Sequence, residues 1–300
     1  MAVLATSFTS STAPVPFSPP APDLARTAWP GFMSAAAQQD YLSAEAGLDS
    51  ARSQGYSHWY IDGSLEGERP AEFSAARIAA LRAQIQASGM QPLYHGNFKS
   101  PLGSDVPALA AAALDYAKQE IDICQQLGGA PLIVHGGGVV EPRLVDAVRA
   151  QGLQQLIANL RELVDYATAR GVQVWLENLC NYTRFHPFYY ICTTAREIAE
   201  ALDSVPDLHL FLDVSHAHVN GGDPVDLFRR FHARTAGMSF SDNGGDRDAH
   251  LPLGRGNVCF PELVAAIGQT GWRGLIGFET RGGVLADSLR YLHAVQRSPQ

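Results

Sequence analysis

Short apolar runs alternate with helical stretches along the whole chain, and this alternation limits the fold more than any other feature. The runs are VLATSF (3–8), YSHWYI (56–61), QPLY (91–94), PLIV (131–134), VQVWL (172–176), LHLFL (208–212), GMSF (237–240) and LIGF (275–278). Helical patterns fall between and after them, at about 38–53, 70–88, 107–127, 153–170, 194–202, 224–231, 261–269 and 285–295. Glycines at 55, 89, 128 and 171 stop several of these. Strands alternating with helices imply parallel pairing through right-handed crossovers, hence a doubly wound sheet or a (β/α)8 barrel. Eight units in 300 residues favour one α/β TIM barrel over 1–300. No GxGxxG follows the first run, which weakens the dinucleotide-binding alternative. A Pro- and Ser-rich stretch at about 10–30 reads as an insertion, a long βα loop over the top of the barrel.

With 46% apolar and 17% charged residues, the chain can bury a large core. Its net charge is −8 and it has no Lys/Arg cluster, so no nucleic acid is expected as a partner. No run of 18 apolar residues occurs, and no membrane span is expected. The first 15 residues lack the basic and apolar regions of a signal peptide. Cys124, Cys180, Cys192 and Cys259 form no CxxC pair and fit reduced thiols in a cytoplasmic protein.

The chemistry gathers where the runs end. His95, His135, Glu177, Asp213 and Glu279 each close a short apolar run. In a TIM barrel those ends meet on one face, where active sites are built. Taken singly, each residue also suits packing, loop capping or a salt bridge. Taken together, five such groups crowded without a cation would repel or stay unpaired. Imidazole with carboxylate suits Zn²⁺, Mn²⁺ or Fe²⁺ better than Ca²⁺. His216 and His218 follow Asp213 closely, and Asp248 and His250 point the same way if their segment is extended. His218 fits either a supporting partner of the site or an ordinary loop residue.

DVSHAHVNGGD (213–223) and SFSDNGGDRDAHLPLGRGN (239–257), with VHGGG (134–138) and LEN (176–178), resemble the xylose isomerase-like TIM-barrel superfamily. That superfamily includes sugar (phosphate) isomerases, epimerases and endonuclease IV, and the likeness runs from about Val3 to the C-terminus. The resemblance to endonuclease IV implies one to three divalent ions, Zn, Mn or Mg. One ion would use His95, His135 and Glu177; another His216, Asp248 and His250; a third Glu177, Asp213 and Glu279. Two departures stand out. Ser239 replaces the histidine expected at the end of the seventh strand, which leaves the third site with oxygen donors only and leans it toward Mn²⁺ or Mg²⁺. Arg255 stands where the family commonly has glutamate.

The resemblance implies two chemistries. In the first, a sugar isomerase or epimerase acts on a small polyol or keto substrate, with Glu177 and Glu279 binding metal and shuttling a proton. In the second, a multinuclear phosphoesterase, hydrolase or lyase of the endonuclease IV type acts on a phosphoryl group. A third reading is a non-catalytic barrel serving as a binding or partner subunit, with Ser239 marking a lost metal. The first is the expectation adopted here. Lys99, Arg184, Arg255 and Arg281 are candidate substrate-binding cations, suited to a phosphate or carboxylate. The aromatic segment NYTRFHPFYY (181–190) suits a roof over the pocket, or a contact between copies in a homo-oligomer.

Overall fold

The computed structural model describes residues 32–34, 40–139, 144–181, 189–282 and 285–297. The strands are β1 (Phe32–Ser34), β2 (His58–Asp62), β3 (Gln91–His95), β4 (Leu132–His135), β5 (Gly138–Val139), β6 (Val174–Glu177), β7 (Tyr189–Tyr190), β8 (His209–Asp213), β9 (Thr235–Phe240) and β10 (Leu275–Phe278). The helices are α1 (Ala44–Ser53), α2 (Ala75–Ser88), α3 (Pro107–Gln126), α4 (Val145–Thr168), α5 (Ala195–Ser204), α6 (Val214–Val219), α7 (Pro224–Phe231), α8 (Phe260–Thr270) and α9 (Leu285–Arg297). Eight strands close into a parallel barrel in the order β1-β10-β9-β8-β6-β4-β3-β2. The short β5 and β7 pair antiparallel to each other, outside the barrel.

Local sequence sets the element ends. Ser43, Ser74 and Thr194 cap α1, α2 and α5 by accepting from the backbone N–H groups of Ala46, Arg77 and Glu197. Gly89 ends α2 at φ 71°, a left-handed geometry that glycine adopts without steric cost.

Two expectations are corrected. The first barrel strand is Phe32–Ser34, paired with β10 and β2, and not the 3–8 run, which lies outside the described residues. The Pro- and Ser-rich stretch at about 10–30 comes before β1 in the chain and lies outside the described residues. The helix expected at 153–170 begins earlier, at Val145, and continues through Gly152. That glycine faces the backbone of Gly103 and the side chain of Ile191, where a β-carbon would collide.

Two apolar layers build the core. The larger fills the space between barrel and helices. The smaller lies inside the barrel and is made of Tyr60, Leu93, Ile133, Trp175, Phe211 and Leu275. Trp175 stacks on Phe211 at 6.0 Å, and Gly237 leaves room for the Phe211 ring, which a β-carbon there would meet at 2.9 Å. Side chains two apart on a strand share a face. Tyr60/Asp62, Leu93/His95, Ile133/His135, Trp175/Glu177 and Phe211/Asp213 are such pairs, each with an interior apolar residue followed by a polar one. The apolar layer is thus the floor of a polar layer at the C-terminal mouth.

Candidate active site

A cavity of about 470 Å³ opens above that floor. Its lining includes His95, His135, Glu177, His216, Asp248, His250 and Glu279, together with Asp62 and Ser64, and with Lys99 and Arg281 nearer solvent.

Glu177 stands at the centre. Its Oε2 lies 3.2 Å from Nε2 of His135 and 3.5 Å from Nε2 of His95. Its Oε1 lies 3.4 Å from Nδ1 of His216. Burial alone would raise the Glu177 carboxyl, but His135, His216 and His95 outweigh it and hold the group well below the usual range. Burial pulls His95 down, yet Glu177, Asp62 and Glu279 win and push it up to about 9. His135 stays lowered, by burial and by the neighbouring His95 and His216 charges.

The second histidine pair is organised by the backbone. Nδ1 of His216 lies 2.8 Å from the carbonyl oxygen of Asn178, and Nδ1 of His250 lies 2.9 Å from that of Glu279. A carbonyl oxygen only accepts, so both Nδ1 atoms carry hydrogen and both Nε2 atoms face inward. Asp248 Oδ2 sits between them, 3.4 Å from Nε2 of His216 and 2.8 Å from Nε2 of His250. Distance alone also groups His216 with Glu177 and Asp213. The engaged Nδ1 argues instead for Asp248 and His250 as its partners. His250 adopts φ 48°, a strained geometry for a residue with a β-carbon, and the loop holds it there by pairing Leu251 with Asp242.

Asp213 caps α6, a short helix where sequence patterning suggested only a loop. Its Oδ1 accepts from the His216 backbone N–H at 2.6 Å, and Asn178 brackets its own backbone through both side-chain atoms. Burial, together with Glu279, Glu177 and Asp248, pushes the Asp213 carboxyl up to about 7 against the pull of His216. Burial and Glu177 likewise raise Glu279, whose Oε1 accepts the Tyr60 hydroxyl at 2.8 Å.

The donor set fits divalent cations. Buried atoms without a hydrogen-bond partner among the described residues include Glu177 Oε2, Asp213 Oδ2, Asp248 Oδ1 and Ser239 Oγ. Unpaired buried polar atoms are costly, and a cation offered to these lone pairs removes much of that cost. His95, His135 and Glu177 place one ligand atom each within 4.8 Å of one another. Ser239 pairs in register with Asp213 on β9, so the serine does stand beside the all-oxygen group.

Of the candidate cations, Lys99 and Arg281 line the cavity. Arg255 is exposed and is not among the lining residues: Asp242 accepts from the Gly254 N–H, and the left-handed turn at Gly254 carries the next residue outward. Arg184 lies outside the described residues, as does most of the 181–190 segment. His218 sits on α6, bonds Asn257 Oδ1 through Nε2 at 2.7 Å, and is not among the lining residues. Sequence reasoning passed over Asp62, Tyr60 and Asn178. The period-two face of β2 signals the first two, and Asn178 directly follows Glu177.

Residues 48–295 match the sequence profile described as the xylose isomerase-like TIM barrel. The chain belongs to that family. Within it, the chain spans 56% and 54% of the first curated relatives it matches, both uncharacterized proteins of Methanocaldococcus jannaschii. An L-ribulose 3-epimerase of Methylomonas sp. is 25% identical over 266 residues, covering 86% of this chain and 84% of the relative. A protein named "Probable endonuclease 4" from Oceanobacillus iheyensis is 23% identical over 219 residues, covering 67% and 70%. The crystal structure of a D-tagatose 3-epimerase-like protein superposes with a TM-score of 0.74 at 19% identity, covering 89% of this chain and 96% of that one. This xylose isomerase-like barrel thus shares its fold with sugar epimerases. Among its described residues, no helix is long and apolar enough to cross a membrane.

Proposed function

We propose that this chain is a divalent-metal-dependent sugar epimerase or isomerase that moves a proton beside a ketone in a small polyol or keto substrate. The observation that carries the reading is the placement of two buried carboxyls, Glu177 and Glu279, on one cavity beside two histidine-bearing groups. Two carboxyls facing one substrate space can serve as base and acid. The sugar epimerases among the relatives give the carbon acid its class.

Three groups of residues would hold the ions: His95, His135 and Glu177; His216, Asp248 and His250; and Glu177, Asp213 and Glu279. A divalent ion bound there supplies Lewis-acid polarisation of a carbonyl and its neighbouring hydroxyl. Glu177, kept ionised by its histidines, accepts the proton from the carbon next to the carbonyl. Glu279, oriented by the Tyr60 hydroxyl, delivers a proton to the other face. The apolar floor of Trp175 and Phe211 keeps water from beneath the reacting carbons. The four cysteines, all free, favour a cytoplasmic setting, and the reading treats 1–300 as one barrel.

The test is NMR of a ketohexose panel in D2O with manganese- or zinc-loaded protein. Deuterium entering at a carbon beside the ketone, lost in Glu177→Gln and Glu279→Gln, supports the reading; absence of exchange across the panel overturns it. A metal-dependent phosphoesterase is the second reading, favoured by the two separate histidine-bearing groups. Hydrolysis of a phosphodiester without ketose exchange would select it.

A further inference from the structure

One wall of the cavity, where Asp62 Oδ1 lies 4.0 Å from Nδ1 of His95, belongs to none of the three ligand groups. Asp62 ends β2, is 3% exposed, and faces the same interior as Tyr60. Its Oδ1 accepts from the Ser64 backbone N–H at 2.9 Å and from the Ser64 hydroxyl at 2.6 Å. Among the described residues Oδ2 receives no hydrogen bond, and Asp62 lines the cavity. Lys99 enters from the loop after β3, and its Nζ donates to the Ser64 carbonyl oxygen at 3.3 Å. A fixed carboxylate and an ammonium therefore flank a single serine. The Phe98 ring stands beside them, 40% exposed, with the Lys99 Nζ 5.6 Å from its centroid.

An ammonium at the mouth would suit a phosphate. Asp62 on the same wall suits it less, because a phosphate brings chiefly acceptor oxygens to a carboxylate oxygen that needs a donor. A pair of adjacent hydroxyls answers both groups: one donates to Asp62 Oδ2 while its neighbour accepts from Lys99 Nζ. The exposed Phe98 face would take the apolar C–H side of the same sugar.

We infer that Asp62, Lys99 and Phe98 form a subsite for the vicinal diol of an uncharged sugar, so that the substrate is a neutral keto sugar and not its phosphate ester. This rests on the keto-sugar reading above and narrows its substrate class. Lys99 is then a hydroxyl donor, not a holder of phosphate or carboxylate.

The experiment compares D-allulose with D-allulose 6-phosphate on the metal-loaded full chain, by calorimetric binding and by steady-state kinetics. The neutral sugar is expected to bind more tightly. Asp62→Asn should weaken it about tenfold, the size of one hydrogen bond to a charged group, measured on protein of checked metal content because Asp62 Oδ1 also lies 4.0 Å from Nδ1 of His95. The same variant should narrow the gap to the phosphate ester. Lys99→Met, at an exposed position that folding does not need, should also weaken the neutral sugar and provides the check where Asp62→Asn fails to fold. Tighter binding of the phosphate ester by the unaltered protein, or neutral-sugar affinity unmoved by either variant, overturns the proposal. Binding that follows this pattern without turnover would sink the epimerase reading and leave the subsite standing.

Discussion

His250 donates its Nδ1 hydrogen to the carbonyl oxygen of Glu279, 2.9 Å away, so a residue proposed to ligate one ion is oriented by the backbone of a residue proposed to ligate another. His216 repeats the device on Asn178, next in the chain to Glu177. Both bonds belong to the His216, Asp248 and His250 group, which is thereby tied to the strand ends that carry Glu177 and Glu279. The His95, His135 and Glu177 group shares no residue with it, so an ion lost from one would leave the other's ligands in place.

Elemental analysis of protein purified without chelator tests this arrangement. His135→Ala and His250→Ala should each remove about one bound ion and leave the other group loaded. Asn178→Ala, which leaves its backbone carbonyl in place but takes away the side chain that brackets Asp213, should weaken binding by about tenfold without abolishing it. Equal loss of all metal in both histidine variants would mean a single shared site.

The acid and base roles predict separable pH effects. Glu177→Gln and Glu279→Gln should each lower kcat by about 10²–10⁴. Tyr60→Phe removes a hydrogen bond that favours the ionised Glu279, so its carboxyl should move further up. The kcat limb governed by Glu279 should then shift to higher pH in Tyr60→Phe. An unmoved profile would separate Tyr60 from the proton transfer.

Much of this was readable in advance because a barrel strand repeats every two residues. Leu93 before His95, Ile133 before His135 and Trp175 before Glu177 spell an apolar floor and a polar mouth in the sequence itself. The first strand was not readable. Phe32–Ser34 is three residues long and runs into alanines, so it carries no alternation to detect. Helix α6 was equally hidden, since VSHAHV has no apolar stripe and owes its start to Asp213 acting as a cap. Asp62 was visible as a strand end, but Lys99 reaches the neighbouring Ser64 only after β2 and β3 are paired. The outward turn of Arg255 depends on Asp242 gathering the N–H groups of Asn243, Gly254 and Val258, a contact set no local pattern encodes.

Glu120 gives a stability prediction independent of activity. It lies on α3, buried, and accepts the Asn97 backbone N–H at 2.9 Å. Burial pushes its carboxyl from an ordinary 4.5 up to about 8, against the pull of that hydrogen bond and of His95. Between those values the folded chain holds a proton that the unfolded chain has released. Stability from this group is therefore full below about pH 4.5 and is lost as pH rises to about 8, by an amount on the order of 5 kcal/mol. Urea unfolding of metal-free protein should show a falling trend across that window, reduced in Glu120→Gln. Parallel trends in the two proteins would refute the assignment.

Arg77 fastens the outer layer near the first helix. Its guanidinium reaches Glu45 on α1 at 2.8 Å, Glu68 at 2.7 Å and the Gly67 carbonyl oxygen at 2.7 Å, and lies 4.4 Å from the centre of the Phe73 ring. Glu68 is only 3% exposed, and burial raises its carboxyl even with the arginine present. Removing the arginine would leave that carboxylate buried and unpaired, a loss of about 3 kcal/mol. Arg77→Ala should lower the unfolding midpoint accordingly. Adding Glu68→Gln to Arg77→Ala should restore part of the loss, since the uncompensated charge is gone. A double variant no more stable than Arg77→Ala would show instead that the stacking on Phe73 and the bridge to Glu45 carry the contribution.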